Sequence, residues 1–564
     1  MENNINTSIM EPVPSDNTAD ILIDKLIAWK VEVIFGLIGD GVNPIIEALR
    51  KRQDKIKLIT VRHEEAAAFM ACGYAKYTGK LGACIATTGP GAVHLMNGIY
   101  DAAMENVPVI AITGITYHDL IGTQYTQEVD TVSLMKDAAV FNTVITGPRH
   151  AQTVVDLACR AALTTPGVAH LTVSVDVQQK PLSDDKASVK ASNLTGISTY
   201  QPRIETPADQ ELDAAAALLN NGSKIMILAG RGALNARAEV EKVAELLGAP
   251  VAKALLGKAL LPDDSPYTTG GTGRLGTLPS EQMMHECDML LILGSNMPWI
   301  EYYPKPGQSK AVQIDREPQR IGLRYPVDIG LTGDVKATLT ALLPKLKKHN
   351  DQSFLKLAQQ RMASWQKMLE RMEQSRATPI RPPYLVAQVQ RLLADDAMIS
   401  IDTGAHTVFT ARHLKILPKQ QIAVSGNLAS MAPGLPYAIA AKIAFPLRQS
   451  VAMVGDGGLT MLMGELATAV LYNLAVKVVV FKNNILSMDG FEQDELGNQR
   501  YGINLQPIDF AKIAQACGAE GYHCSKPDEL PSVLRTAFAS NRPAVIEVDV
   551  DPAESPAKPD EVKG

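Results

Sequence analysis

Two short stretches carry the residue types for chemistry. Gly455-Asp456-Gly457-Gly458 and Asn483-Asn484 stand with their Asp and first Asn 27 positions apart. Mg²⁺ takes near-octahedral oxygen ligation with few protein carboxylates, the rest coming from phosphate and water. Glycines let the backbone approach a ligand, and amides at a helix N-terminus receive its anionic end. One carboxylate, one amide oxygen and freed amides therefore suit a diphosphate carried on Mg²⁺. A tight turn and an Asn loop without ligand is the plainer reading of either piece alone; their joint spacing favours the site. The second stretch is LITVRHEEAAAFMACGYAK, residues 58–76, where an apolar run ends at Arg62-His63-Glu64-Glu65 and a small-residue helix begins. Acids there complement a helix dipole, or place a carboxylate at a sheet's functional edge. The residues alone leave both open.

Such groups must be positioned by alternating elements. SVAMV (450–454) and AVKVVVF (475–481) read as buried strands, and 460–473 as a helix with Met461, Leu462, Leu466, Val470 and Leu471 on or near one face. This is a β-α-β unit, whose loops at the carboxyl ends of the strands share the edge where open α/β sheets bind ligands. The same alternation recurs upstream. VIFGL, KLITV, GACIATT, VPVIAITG and AHLTVSV are strands of a first block; KIMILAG, PVAKALL, DMLLILG and KAVQID are strands of a middle one. PLSDDKASVKASNLTGISTYQPRIETPAD reads as a linker, and RATPIRPP, after a charged helical stretch, as a second. The expectation is an α/β chain of three consecutive doubly wound parallel-sheet domains, at 15–180, 207–343 and 384–550. The likeness of the outer blocks suggests a duplication.

Composition bounds the function. A chain of 564 residues, 46% hydrophobic and 20% charged, suits several globular domains. A net charge of −6 offers no basic field for nucleic acid. No apolar run reaches membrane-span length. MENNINTSIMEPVPSDNTAD lacks a signal-peptide pattern and reads as a tail. Cys72, Cys84, Cys159, Cys287, Cys517 and Cys524 form no CxxC pair, which fits reduced thiols of a cytoplasmic protein. In the middle block KIMILAGRGALN is a weak dinucleotide loop, with Asn235 at the third glycine position and no acid on PVAKALL. GGTGRLG (270–276) fits GxGxxG but follows PYTT, which does not read as a strand. Asp315 ends AVQID as a ribose or adenine partner.

Gly-Asp-Gly, a spacer of about 25 residues and Asn resemble the signature of thiamine-diphosphate enzymes, over about residues 15–550. The chain resembles their pyruvate oxidase and acetolactate synthase group, and within it the pyruvate oxidase branch. The resemblance implies that Asp456, Asn483 and the carbonyl of Ile485 bind Mg²⁺, with Gly455, Gly457 and Gly458 at the diphosphate. It implies that Glu64 hydrogen-bonds the aminopyrimidine ring, so that the cofactor's C2 adds to a 2-oxo acid carbonyl and CO₂ is lost. Glu65 caps the helix and His63 orients. His94, in TTGPGAVHLMNG, and Gln127 line the active site, and Glu492 joins the catalytic candidates. SGNLASMAPGLPYAIAAK places Met431 between the cofactor's two rings and the Ala429 carbonyl at its amine.

AGRG, GGTGRLG, GSNMPW, QIDREPQRIG and GDV resemble the segments that hold FAD, which assigns Gly230, Arg231, Gly232, Gly273, Arg274, Asn296, Asp315 and Asp334 to that cofactor. The chain departs from the pattern at Thr126, where relatives often have Phe, and at Ser487-Met488, where oxidases commonly have Gly-Phe. Phe491-Glu492-Gln493 lacks the Trp that acetolactate synthases place between two glutamines. The implied activity is oxidative decarboxylation of pyruvate or a similar small 2-oxo acid; the alternative is a non-oxidative carboligase or decarboxylase on the same scaffold. The implied assembly is a homo-oligomer, at least a dimer and by analogy a tetramer, with Glu64 and Asp456 supplied by different subunits. After Val550 the chain has Pro552, Pro556 and Pro559 and one large apolar residue, Val562, so no amphipathic membrane anchor is expected.

Overall fold

The computed structural model describes residues 17–186, 200 and 204–562. Three six-stranded sheets follow one another along the chain, every pairing within them parallel. The first holds β1 (Val33–Gly36), β2 (Lys57–Thr60), β3 (Gly82–Ala86), β4 (Val109–Ile115), β5 (Ala139–Ile145) and β6 (Val168–Ser174), in the order β2-β1-β3-β4-β6-β5. The second holds β7 (Ile225–Ala229), β8 (Val251–Lys253), β9 (Thr268–Gly271), β10 (Met289–Leu293), β11 (Lys310–Asp315) and β12 (Ile329–Thr332), ordered β12-β11-β10-β7-β8-β9. The third holds β13 (Met398–Ile401), β14 (Gln421–Val424), β15 (Ser450–Gly455), β16 (Val476–Lys482), β17 (Glu520–Cys524) and β18 (Ala544–Asp549), ordered β14-β13-β15-β16-β18-β17.

Counted from its own first strand, the third sheet repeats the order of the first, as a duplication requires. The middle sheet read from its other edge runs 3-2-1-4-5-6, the doubly wound order whose reversal point lies between β7 and β10. The chain clusters into two units, residues 1–75 with 79–201, and 76–78 with 202–564. Helices cover the sheets, so central strands are buried along their whole length: every residue of β4, β6 and β10 is buried, the polar Thr113, His170, Thr172 and Ser174 included.

Seven strands carry no expectation from the sequence, β13, β14, β17 and β18 of the third sheet and β5, β9 and β12 of the first two, and that rule explains the latter three. β5 is an edge strand of which only Ile145 is buried. β9 and β12 are four residues long and carry Gly270, Gly271 and Gly330 in place of an apolar run. β9 corrects one expectation outright, since GGTGRLG does leave a strand, Thr268–Gly271, and leads through a turn to the helix Leu278–Glu286. A second correction concerns 460–473, which is two short helices, Asp456–Leu462 and Glu465–Leu471. Leu462 and Leu466 are buried, whereas Met461 and Leu471 are exposed, so the expected face is only half covered within this chain. The expected N-terminal tail lies mostly outside the described residues, but Thr18–Asp20 is no tail: it opens the helix Thr18–Ala28, capped by Asn17. The Pro-rich second linker likewise ends early, because Pro382 and Pro383 start the helix Pro382–Gln390, where proline costs no hydrogen bond.

Candidate functional site

β15 and β16 are adjacent and in register through Gly455↔Phe481, which brings the Gly-Asp-Gly and Asn-Asn turns together at their carboxyl ends. Asp456 begins a helix and is buried. Its Oδ2 accepts from the backbone N–H of Asn483 at 3.1 Å and Asn484 at 2.6 Å, and its Oδ1 from that of Gly457 at 2.9 Å. Burial raises its pKa, against the lowering effect of these amides. Among the described residues no cationic side chain pairs with it. Asn483 Oδ1 accepts from Ile485 N at 3.2 Å, and its Nδ2 donates to Ser487. Asn484 adopts φ 58°, the left-handed turn that asparagine tolerates, and an antiparallel bridge to Asn504 holds Ile485.

Met431, Asp456, Asn483, Ile485 and Met488 line one cleft. Met431 is half-buried rather than a core residue. A Cβ on Gly457 would lie 3.3 Å from its Cε, so it leans on the Gly455–Gly458 turn. It is flanked by Ala429 at φ 54° and Ala432 at φ 87°, conformations that cost about 1–3 kcal/mol each unless their surroundings enforce them. Glu492 sits on the helix Ser487–Glu495, is exposed, and does not line this cleft. Gln493 is occupied with the backbone N–H and carbonyl of Tyr501.

Two residues were not singled out from the sequence, Asp402 beneath the Met431 segment and His406 in the cleft lining. Asp402 follows β13 and is 1% exposed. Its Oδ1 accepts from Thr403 N at 2.7 Å and Ala432 N at 2.9 Å, while Oδ2 has no partner. Burial pushes its pKa up to about 7. It enforces the strained turn beside Met431. His406 lines the cleft with its ring against Gly455, where a Cβ would come within 3.0 Å. Burial lowers its pKa to about 4, and Nε2 has no partner. The signal was an apolar run, MISI, ending in Asp-Thr-Gly-Ala-His.

In the middle domain, Gly230 N donates to Leu293 O and Gly232 N to Gly294 O, so the two chain segments at the reversal point touch backbone to backbone. A Cβ at Gly230 would come 2.5 Å from Gly294 O. Arg231 starts the 3-10 stretch Arg231–Ala236. Asp315 ends β11, buried, its Oδ2 accepting from Asn296 Nδ2 at 3.3 Å, and burial raises its pKa. Asn296 Oδ1, Ser295 Oγ, Thr272 Oγ1 and Arg274 Nε are buried and unpartnered. Gly273, at φ 82°, lies under the Trp299 indole, 2.5 Å from where its Cβ would be. The outer nitrogens of Arg274 pair with Glu495 at 2.8 and 3.1 Å. Asp334 is engaged locally, capping the helix Val335–Leu342 through Ala337 N.

In the first unit Glu64 opens the helix Glu64–Thr78 and is 6% exposed. The cap is His63, whose Nδ1 accepts from Glu65 N at 3.2 Å. This corrects the expectation for Glu65, whose carboxylate instead accepts from Asn97 at 2.6 Å. His94 Nδ1 lies 3.0 Å from Glu64 Oε2, and its ring stacks on His63 at 4.5 Å. Gly91 faces Glu64: a Cβ there would sit 3.2 Å from Oε1. Gln127 is exposed, at φ 61°, and its backbone abuts Gly89.

Comparison with known proteins agrees with this layout. The chain matches the N-terminal TPP binding domain of thiamine pyrophosphate enzymes over residues 16–134, the central domain over 212–342, and the C-terminal TPP binding domain over 402–548. It is 38% identical over 527 residues to YdaP of Bacillus subtilis strain 168, whose name describes a thiamine pyrophosphate-containing protein (93% of this chain, 90% of that one). It is 32% identical over 533 residues to pyruvate oxidase of Lactiplantibacillus plantarum (93% and 87%). It is 30% identical over 558 residues to the acetolactate synthase large subunit of Parasynechococcus marenigrum (95% and 88%). No helix of the described residues is long and apolar enough to cross a membrane.

Proposed function

The chain belongs to the thiamine pyrophosphate enzymes, and on that premise we propose that it decarboxylates pyruvate or a similar 2-oxo acid oxidatively, using thiamine diphosphate, Mg²⁺ and FAD. The observation that carries the oxidative half is the set of unpartnered buried atoms of Thr272, Ser295 and Asn296 beside the buried Asp315 carboxyl. Each such atom costs about 1–3 kcal/mol when left unpaired, and a dinucleotide's hydroxyls and phosphate oxygens fit them. Thiamine diphosphate and Mg²⁺ fit the third domain for a similar reason. The buried Asp456 carboxylate lacks a cation, and His406 Nε2 lacks a partner in the same cleft.

Asp456, Asn483 and the Ile485 carbonyl would hold the metal, with Gly455, Gly457 and Gly458 at the diphosphate and Met431 and Ala429 at the rings. Gly230, Arg231, Gly232, Gly273, Arg274, Asn296, Asp315 and Asp334 are the residues assigned to FAD. When bound, thiamine diphosphate supplies a nucleophilic carbon and an electron sink for decarboxylation, and FAD takes up electrons. The protein's share is position and proton control. Glu64 holds a proton partner at Oε2, and His94 Nδ1 at 3.0 Å can exchange that proton. Gln127 and Glu492 are assigned to substrate. We assign Glu64 and Asp456 of different copies to one centre in a cytoplasmic homo-oligomer without a stable membrane anchor. Mixing Glu64→Gln and Asp456→Ala proteins then restores part of the activity that each lacks alone.

The deciding experiment is the visible absorption spectrum of the purified protein, expected to show flavin that bleaches under anaerobic pyruvate. A colourless, active protein would instead favour a carboligase or decarboxylase. One observation supports that second reading: Gly230, Gly232 and Gly294 are already required by contact between chain segments, so they need no nucleotide to explain them.

A further inference from the structure

We propose that Arg412 is a positioning residue of the middle-domain nucleotide site, fixing the Thr272–Gly276 turn on which the dinucleotide's diphosphate rests; the proposal builds on the FAD reading above. Arg412 belongs to the third domain, in the last turn of the helix Ala405–His413, and is 9% exposed. Its Nε donates to the Gly276 carbonyl at 3.0 Å, and its Nη2 to the carbonyls of Arg274 at 3.2 Å and Ala557 at 3.0 Å. No carboxylate lies within ion-pair distance of it among the described residues.

A buried cation is ordinarily held by a carboxylate, because carbonyl dipoles alone offset little of its lost hydration. Here two of the three carbonyls belong to GGTGRLG. The turn is closed by Gly276 N to Gly273 O at 2.8 Å, Thr277 N to Gly271 O at 3.0 Å and Thr272 N to Lys253 O at 2.9 Å, with Gly270 N on Thr268 Oγ1 at 3.0 Å, and Arg412 adds the hold on the Arg274 and Gly276 carbonyls. Its Thr272 Oγ1 and Arg274 Nε are buried without partners. The Arg274 charge is answered by Glu495, which Lys558 also approaches at 3.5 Å. Arg412 is answered by no acid, so a positive charge remains behind the turn. An anionic diphosphate on its far side would complete the pairing, a charge interaction strengthened by burial. The helix that carries Arg412 starts at the thiamine cleft, which Ala405 and His406 line. One nine-residue helix thus reaches from one cofactor cradle to the other.

The test uses the full-length enzyme with Arg412→Gln and Arg412→Lys. FAD affinity is read by quenching of flavin fluorescence, thiamine diphosphate affinity with Mg²⁺ by calorimetry, and the turn by hydrogen exchange of the amides at 272–277. Arg412→Gln is expected to weaken FAD binding at least tenfold, to speed exchange at the turn, and to leave thiamine diphosphate affinity within about twofold. Arg412→Lys, which keeps the charge with fewer directed donors, should recover part of the FAD affinity. Unchanged FAD affinity overturns the proposal. So does a parallel fall of both affinities and of Tm in both variants, which marks a packing residue. If the wild-type enzyme itself binds no FAD, the oxidase reading falls. Exchange at the turn then decides Arg412 alone: faster exchange in Arg412→Gln sustains its hold on the turn, and unchanged exchange overturns it.

Discussion

The first and third sheets have one strand order and place turns at the same stations, yet the turns do different work. After β3 the chain runs through Gly89 into the helices Pro90–His94 and Met96–Met104. After β15 it runs through Asp456 into Asp456–Leu462 and Glu465–Leu471. In the first case glycine serves the chain itself: Gly89 has φ 63°, and a Cβ would strike Gln127 O at 2.6 Å. In the third, Gly457 has no left-handed φ, and the nearest atom to a Cβ is 3.1 Å away; its smallness leaves room in the cleft. The second strands end in His63-Glu64 in one sheet and in the segment leading to Met431 in the other. The fourth strands lead to Gln127 in one and Asn483 in the other. The topology supplies the stations, and in the proposed assignment the residues at them decide whether a station would meet a ring edge or a charged tail.

The largest effect is expected where the third domain's acid is lost. Asp456→Ala should lower thiamine diphosphate affinity in Mg²⁺ by more than the roughly 10–100-fold typical of outer-sphere changes, measured by calorimetry on the metal-loaded protein. Retained affinity would erase the contrast between the two turns. Next, Glu64→Gln should slow exchange of the cofactor's C2 proton by about 10²–10⁴-fold while cofactor binding stays near normal. Normal exchange by NMR would move the role to Glu65 or another group.

The two sheets should also answer pH with opposite signs when the protein is free of cofactor. Burial holds Asp402 at about 7, above the ordinary 3.8, so its contribution is full below 3.8 and lost as pH rises through 7. His170, buried in β6 between Thr113 and Asn142, is held at about 4, below 6.5, so its contribution is full above 6.5 and lost as pH falls through 4. As pH falls from 6.5 to 4.5, protection factors, that is, exchange corrected for its intrinsic pH dependence, should therefore rise in β13 and β15 and fall in β4 and β6. Asp402→Asn should flatten the first trend. The smallest effect separates the two glycines. Gly89→Ala should cost about 1–3 kcal/mol of stability by strain, read by calorimetric melting. Gly457→Ala should melt closer to wild type but hold thiamine diphosphate less well, and the reverse pattern would swap the roles given to the two turns.

Much of this was legible because parallel sheets covered on both faces write themselves as apolar runs, and ligand turns follow those runs directly. Asp456, Asn483 and Glu64 all stand one to four residues past such a run. β5, β9 and β12 were not legible because an edge strand or a glycine-bearing one has no continuous run to read. Asp402 and His406 were missed because an acid and a histidine near a strand end are common; only the buried, unpartnered Asp402 Oδ2 and His406 Nε2 distinguish these two.

The sequence by itself determined the three sheets, the family, and which residues lie at the carboxyl ends of β2, β15 and β16, because periodicity and turn chemistry are local. Tertiary structure alone decided that His63 rather than Glu65 caps the helix, that Glu492 does not line the cleft of its own chain, and that Arg274 is paired with Glu495. It alone also showed that Arg412, 136 positions from Gly276, grips the turn of another domain. Those outcomes depend on which side chain finds a partner across the fold, and pairing at that range leaves no periodic trace along the chain.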